Sequence, residues 1–178
     1  MLISKRNGFL FCCVLILCTV GLTANNSWAQ TPKPRTFGDA AYQPKIGQVG
    51  KDVIWVPTSD AVAAMMLQAA AVTPDDLVYD LGAGDGKIAI AAARDFGAKS
   101  VGIEYNPELT ELAKRNIERA GLTDKVRMIH GDIFKENFSQ ASVVTLYLLP
   151  DLNLQLRPTL LKMKPGTRIV ANSFNMGD

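Results

Sequence analysis

Between residues 60 and 172, short apolar runs alternate with segments in which apolar side chains recur every three or four residues. The runs predict strands buried on both faces of a sheet, and the three-to-four spacing predicts amphipathic helices. The predicted strands are 77–81, 100–104, 126–129, 142–149 and 167–172. The predicted helices are 60–71, 87–96, 107–120 and 152–163, the last interrupted or kinked near Pro158. This alternation predicts an α/β fold with a doubly wound, mostly parallel sheet and helices on both faces.

The first 51 residues follow a different pattern. Lys5 and Arg6 precede an uncharged apolar run over residues 8–22, and Ser27-Trp28-Ala29 follows it. This predicts a signal peptide over residues 1–29, cleaved after Ala29, and hence an exported protein, periplasmic or secreted. The alternative is an uncleaved signal anchor in the membrane. Residues 30–51 are rich in Pro, Gly and Gln and predict an extended linker or arm, so residues 52–178 form the globular domain.

Cleavage after Ala29 changes the chemistry available to the chain. All three cysteines lie in the predicted signal peptide, so the mature protein would have neither a disulfide nor a thiol nucleophile. Loss of Lys5 and Arg6 reduces 19 basic residues to 17, against 17 acidic residues. A net charge near zero argues against a broad nucleic-acid interface. The single histidine, His130, cannot build a zinc site alone, so no metal is predicted.

The stretch VYDLGAGDGK, residues 78–87, contains the densest candidate chemistry. Gly82 and Gly84 follow the first predicted strand and allow a positive φ and a close approach to a ligand. A dinucleotide-binding loop would have a third glycine where Lys87 stands, and Asp80 and Asp85 would repel a pyrophosphate. S-adenosylmethionine has an ammonium and a sulfonium group and no phosphate. We therefore expect binding of S-adenosylmethionine and S-adenosylhomocysteine, and none of NAD or NADP.

The same stretch resembles motif I of the Rossmann-like S-adenosylmethionine-dependent methyltransferases. Together with VPT at 56–58 and VGIEYNPEL at 101–109, it is similar to the lysine methyltransferases that act on the c-subunit of ATP synthase and on the adenine nucleotide translocase, and to their bacterial relatives. The resemblance covers about residues 53–174 and implies methyl transfer to a protein lysine. The usual fold has two more strands than are predicted here, so either C-terminal strands are missing or one sheet edge is uncovered.

Roles for individual residues follow from this resemblance and from their positions at strand ends. Glu104 would accept hydrogen bonds from the ribose hydroxyls, and Asp80 would hold the methionyl ammonium. Asp132 would accept from the adenine amino group, with Ile133 packed on the ring. The full predicted cofactor-binding set is Thr58, Asp80, Gly82, Ala83, Gly84, Asp85, Gly86, Glu104, Tyr105, Asp132 and Ile133.

The end of the fourth predicted strand would face the transferred methyl group. Tyr147 and Asp151 are the candidate catalytic residues there, able to steer or deprotonate an amine. The Asn/Asp-Pro-Pro-Tyr/Phe motif of methyltransferases acting on adenine or glutamine is absent. Two alternatives stay open: a small-molecule methyltransferase, and a binding module that keeps the cofactor site without catalysis. The expected partner is thus a protein lysine or a small molecule, with membrane association through the N-terminal segment as a further expectation.

Overall fold

The computed structural model of this chain describes residues 37–177, and the predicted signal peptide lies outside them. The strands of this part are β1 Leu77–Leu81, β2 Lys99–Glu104, β3 Val126–His130, β4 Val143–Leu146 and β5 Arg168–Ala171. Its helices are α1 Asp60–Ala69, α2 Lys87–Phe96, α3 Pro107–Arg119 and α4 Pro150–Leu160. None of these helices is long and apolar enough to cross a membrane.

The five strands form one parallel sheet in the order β3-β2-β1-β4-β5. The chain moves outward from β1 to β3 on one side of β1 and then crosses to β4 and β5 on the other side. This reversal places a topological switch point between β1 and β4, at the carboxyl ends of the strands. The predicted doubly wound α/β fold is confirmed.

Helices cover both faces of the sheet because the buried strands carry apolar side chains on both sides. On one face, α1, α2 and α3 pack over Val78, Met128 and Val143. The alanines of α2, such as the fully buried Ala89, let this helix approach the sheet closely. On the other face, α4 packs over a cluster that includes Leu146. The cores on the two faces hold the strand ends in fixed positions.

Two predicted boundaries at the fourth strand were wrong. β4 ends at Leu146 instead of residue 149, because its partner β1 ends at Leu81 and turns into the glycine loop. The next helix begins at Pro150, two residues earlier than predicted, since proline at the first helical position loses no helical hydrogen bond. Pro158 lies inside α4 and does not end it.

The part of the predicted linker or arm that the structure describes, residues 37–51, packs against α3. It contains no helix or strand, and its Val49 forms an isolated antiparallel bridge with Ile54, just beyond this segment. The Phe37 ring meets the Trp55 ring edge-on, with centroids 5.6 Å apart, beside buried leucines of α3. Arg115 of α3 donates to the Asp39 carboxylate at 2.7 Å. These contacts hold residues 37–58, which are called the arm from here on, over the carboxyl edge of the sheet.

Strand β5 forms one edge of the sheet, and within residues 37–177 no strand pairs with its outer side. Its Arg168 donates to the carbonyls of Ala70 and Ala71 at 2.9 and 2.8 Å and also pairs with Asp76. The guanidinium thereby satisfies free carbonyls at the C-terminal end of α1. These bonds tie the edge strand to α1 and to the start of β1.

Candidate active site

A cleft opens at the switch point, above the carboxyl ends of β1, β2, β3 and β4. Its empty volume is about 1020 Å³, including the part open to solvent. The arm forms one wall over residues 48–58, and the loop after β1 forms the floor. Open parallel sheets bind ligands at this position. The topology therefore brings the predicted site residues to one place although they are up to 89 positions apart, from Thr58 to Tyr147.

The glycine loop leaves room for a ligand only because it lacks side chains. Gly82 has a φ of 81° and Gly84 a φ of 55°, both in the left-handed region. A Cβ on Gly82 would lie 2.9 Å from Leu148 Cδ2, and one on Gly84 would lie 2.8 Å from Trp55 Nε1. The loop thus presents bare backbone to the cleft, as a closely bound ligand requires.

Asp80 carries the most perturbed carboxyl group of the site. It is only 3% exposed, and Thr145 of β4 donates to its Oδ1 at 2.7 Å. Burial raises the pKa of Asp80 to about 7, and the charges of Glu104 and Asp85 act in the same direction. Burial also raises the pKa values of Glu104 and Asp85. Three neighbouring acids favour a cationic ligand group here and repel a pyrophosphate.

Glu104 links two elements that border the cleft. Its Oε2 accepts from the Gly84 N–H at 2.8 Å, and its Oε1 accepts from the Asn106 N–H at 2.9 Å. Each carboxylate oxygen can accept a second hydrogen bond, so both remain able to meet a pair of vicinal hydroxyls. The predicted ribose contact is compatible with this arrangement and stays a prediction.

At the predicted adenine end, Asp132 already has a partner from the arm. Its Oδ2 accepts from Lys51 Nζ at 2.9 Å, and its Oδ1 accepts from the Phe134 N–H at 3.0 Å. The same ammonium lies 5.0 Å from the centroid of the Tyr105 ring. An adenine amino group that bonds to Asp132 must share this carboxylate with Lys51 or displace the ammonium.

All but two of the predicted site residues line the cleft. Those that do are Thr58, Asp80, Gly82, Ala83, Gly84, Asp85, Glu104, Tyr105, Asp132, Ile133 and Tyr147. Gly86 does not, because it caps α2 and faces α3, where a Cβ would lie 3.1 Å from Ala113 Cβ. Asp151 does not either, because α4 begins at Pro150 and leaves the Asp151 side chain exposed to solvent. Asp151 thus lies outside the cleft lining, and its catalytic role stays a prediction, as does a ligand contact of Gly86.

Sequence reasoning missed most of the wall that the arm contributes. Cleft-lining residues outside the predicted set include Lys51, Val53, Trp55, Leu109, Phe134 and Leu148. The sequence did indicate Trp55, because this residue lies in the short apolar run 52–56 and directly precedes Val56-Pro57-Thr58, the stretch that resembles the methyltransferase family. No local signal identified Lys51, since its contact with Asp132 joins positions 81 residues apart.

The class of protein is defined by three features: the cleft at the switch point, the glycine loop, and the neighbouring acids Asp80, Asp85 and Glu104. This is a Rossmann-like, S-adenosylmethionine-dependent methyltransferase. Residues 80–178 match the ANTKMT methyltransferase domain, and the chain belongs to that family.

Three similar proteins extend this comparison. A protein-lysine N-methyltransferase of Saccharolobus islandicus is 46% identical over 126 residues, which are 70% of this chain and 78% of the relative. The ATP synthase c-subunit lysine N-methyltransferase of Mus musculus is 36% identical over 98 residues, covering 54% of this chain but only 39% of the mouse protein. The crystal structure of an RNA methyltransferase from Salinibacter ruber in complex with S-adenosyl-L-homocysteine has 49% identity and a TM-score of 0.67, covering 68% of this chain and 80% of that chain.

Proposed function

We propose that this protein transfers a methyl group from S-adenosylmethionine to the side-chain amine of a protein lysine. The observation that carries the proposal is the 46% identity with a protein-lysine N-methyltransferase over 78% of that relative's length. The match to the ANTKMT methyltransferase domain and the similarity to the mouse lysine methyltransferase support the same acceptor.

The cleft has the groups that such a reaction needs. When bound, S-adenosylmethionine supplies a methyl group already activated by the sulfonium. Asp80 would hold its ammonium, Glu104 its ribose, and the backbone at Gly82 and Gly84 its methionine part. The protein's remaining task is to align the acceptor amine and to favour its neutral form. Tyr147, the one predicted catalytic residue that lines the cleft, would contact that amine.

An RNA acceptor is the second candidate, because the similar Salinibacter ruber structure is described as an RNA methyltransferase. The charge of the chain favours a protein acceptor over RNA. Without residues 1–29, the 17 basic and 17 acidic residues balance. Phosphate backbones are bound by clustered Lys and Arg. The cleft of this protein presents two lysines, Lys51 and Lys87, against five acids: Asp52, Asp80, Asp85, Glu104 and Asp132.

A labelled-methyl assay distinguishes these acceptors. We expect the full-length protein, incubated with methyl-labelled S-adenosylmethionine and cell extracts, to label material that resists RNase and is degraded by protease. Acid hydrolysis should release the label as methyllysine. Loss of label on RNase treatment would instead establish an RNA acceptor, and label in low-mass compounds would establish a small-molecule acceptor. If the protein binds S-adenosylhomocysteine but transfers no methyl group, it is a non-catalytic binding module. NAD is the control ligand in the binding measurement, because we expect it not to bind.

We further propose that residues 1–29 direct export and are removed after Ala29, on the basis of the Lys5-Arg6 start, the apolar run and the Ser-Trp-Ala ending. N-terminal sequencing of protein recovered from cells should read from Gln30. A membrane-bound product that retains the intact Met1 to Gln30 peptide would contradict cleavage and establish the signal anchor.

A further inference from the structure

Thr145 lies beside Asp80, the most buried acid of the site, and is not among the predicted site residues. It stands in β4 directly opposite Asp80 of β1 in the parallel register. Thr145 is 0% exposed, and its hydroxyl donates to Asp80 Oδ1 at 2.7 Å, whereas the Tyr79 carbonyl is 3.4 Å from that hydroxyl. A hydroxyl has one proton to donate, so the shorter contact shows that it bonds to the carboxylate.

Thr145 is the only donor to Asp80 within the described residues 37–177. Oδ1 accepts from the hydroxyl, whereas Oδ2 has no donor among the described residues and is open to a ligand in the cleft, which Asp80 lines. A valine in place of Thr145 would have nearly the same shape but no donor. The carboxylate would then lose both its fixed rotation and its single hydrogen-bond partner.

The surroundings of Asp80 oppose its ionisation. Burial disfavours its charge, and Glu104 from β2 and Asp85 from the glycine loop add negative charge nearby. The charged side chains that line the same cleft are Lys51, Asp52, Asp85, Lys87, Glu104 and Asp132. The two lysines are paired with other acids, Lys51 with Asp132 and Lys87 with Asp60. Among residues 37–177, the Thr145 hydroxyl is thus the contact that favours the ionised carboxylate of Asp80.

We propose that Thr145 is a positioning residue, whose hydroxyl turns Asp80 Oδ2 toward the cleft and keeps the carboxylate ionised for the ligand's ammonium group. This inference rests on the proposed S-adenosylmethionine site. It assigns to Thr145 no contact with the ligand itself.

The pH dependence of binding follows from this arrangement. The attraction between Asp80 and an ammonium is present above the pKa of Asp80 in the free protein and is lost as the pH falls through it. In the wild-type protein the affinity for S-adenosylhomocysteine should therefore fall below about pH 7. Removing the hydroxyl raises the pKa of Asp80 further, so the fall should begin at a higher pH. Adenosine has no ammonium, and its affinity should not follow this titration.

The test is calorimetric titration of S-adenosylhomocysteine and of adenosine between pH 5.5 and 8.5, with wild-type protein, Thr145→Val and Thr145→Ser. We expect Thr145→Val to move the S-adenosylhomocysteine inflection upward by about one pH unit, which is up to about tenfold weaker binding at pH 7. Thr145→Ser keeps the hydroxyl and should restore the wild-type curve. Adenosine affinity should stay within about twofold in all three proteins.

Circular dichroism checks that each variant is folded, and Thr145→Ala removes the same donor if valine is not tolerated. An unshifted inflection in the donor-free variants, or an equal loss of adenosine affinity, would overturn the positioning role of Thr145. Wild-type protein that binds neither ligand would instead overturn the proposed function on which the inference rests.

Discussion

Asp80→Asn should make the ligand-free protein more stable at pH 8. Burial raises the pKa of Asp80 from 3.8 to about 7, so the native state is penalised whenever this carboxyl must ionise. The contribution of Asp80 to stability is therefore lost as the pH rises from its unfolded-state pKa through its native-state pKa. The difference between the two pKa values corresponds to at most about 4 kcal/mol at pH 8.

The gain should be smaller than this limit and should depend on pH. Asparagine keeps an oxygen for the Thr145 hydroxyl but adds an amide N–H group that needs an acceptor, so we expect about 1–3 kcal/mol at pH 8. At pH 5 the wild-type Asp80 is already protonated in the native state, and the gain should shrink. Urea unfolding at both pH values measures it.

Asp76→Asn is the matched control, because Asp76 is also buried and lies at the other end of β1. Burial opposes its charge, but hydrogen bonds from Ser142 and Thr73 and the charge of Arg168 outweigh burial and lower its pKa. Its stabilising contribution is present above the unfolded-state pKa and lost as the pH falls, so Asp76→Asn should destabilise the protein at pH 8. If both variants changed stability in the same direction, the contrast between the two aspartates would be wrong.

Asp80→Asn should weaken binding while it stabilises the fold. Loss of the charge facing the ammonium should cost about tenfold to a hundredfold in affinity for S-adenosylmethionine and S-adenosylhomocysteine at pH 8. Adenosine should bind almost as before. Higher stability with lower affinity would identify Asp80 as a residue whose charge is kept at an energetic cost for the sake of the ligand.

Substitutions of Glu104 should have a different effect on binding, because Glu104 is predicted to bind the ribose and also accepts a hydrogen bond from the glycine loop. Glu104→Gln keeps one acceptor oxygen but no charge, so one of the Gly84 and Asn106 N–H groups loses its acceptor and the other keeps only a neutral one. Together with the weaker ribose contacts, this predicts about tenfold to a hundredfold weaker binding of S-adenosylhomocysteine and also of adenosine. Glu104→Ala removes both oxygens and should cost more.

The measurement is a titration of S-adenosylmethionine, S-adenosylhomocysteine and adenosine with both Glu104 variants and with Asp80→Asn. Glu108→Gln is the control, since Glu108 is an exposed glutamate in the first turn of α3 and should change each affinity by less than about twofold. Equal losses of adenosine affinity in Asp80→Asn and Glu104→Gln would show that the site is not divided into an ammonium acid and a ribose acid.

The elements around the glycine loop could be read from the sequence almost residue by residue. β1 and α2 have the predicted bounds, and Asn106 and Pro107 start α3 as expected. Local chemistry decides these positions: a buried run for the strand, a cap and a proline for the helix. At β4 the prediction failed, because the end of that strand depends on where β1 stops and not on its own side chains.

The acids of the site could also be named from sequence, because the carboxyl ends of parallel strands share one edge whatever the details of packing. Asp80, Glu104 and Asp132 reach the cleft for that reason. Gly86 and Asp151 do not line the cleft, because the direction in which a loop or a first helical turn faces depends on the neighbouring helix. Sequence position alone does not indicate which way such a residue faces.

The fold class, the glycine loop and the acids above the sheet thus follow from the sequence alone, because they depend on short-range pattern and on topology. Three other features needed the packed structure: the arm closes one wall of the cleft, Lys51 pairs with Asp132, and Thr145 holds Asp80. The last two contacts join residues 81 and 65 positions apart. All three arise from packing between separate segments, for which neither periodicity nor a local motif provides a signal.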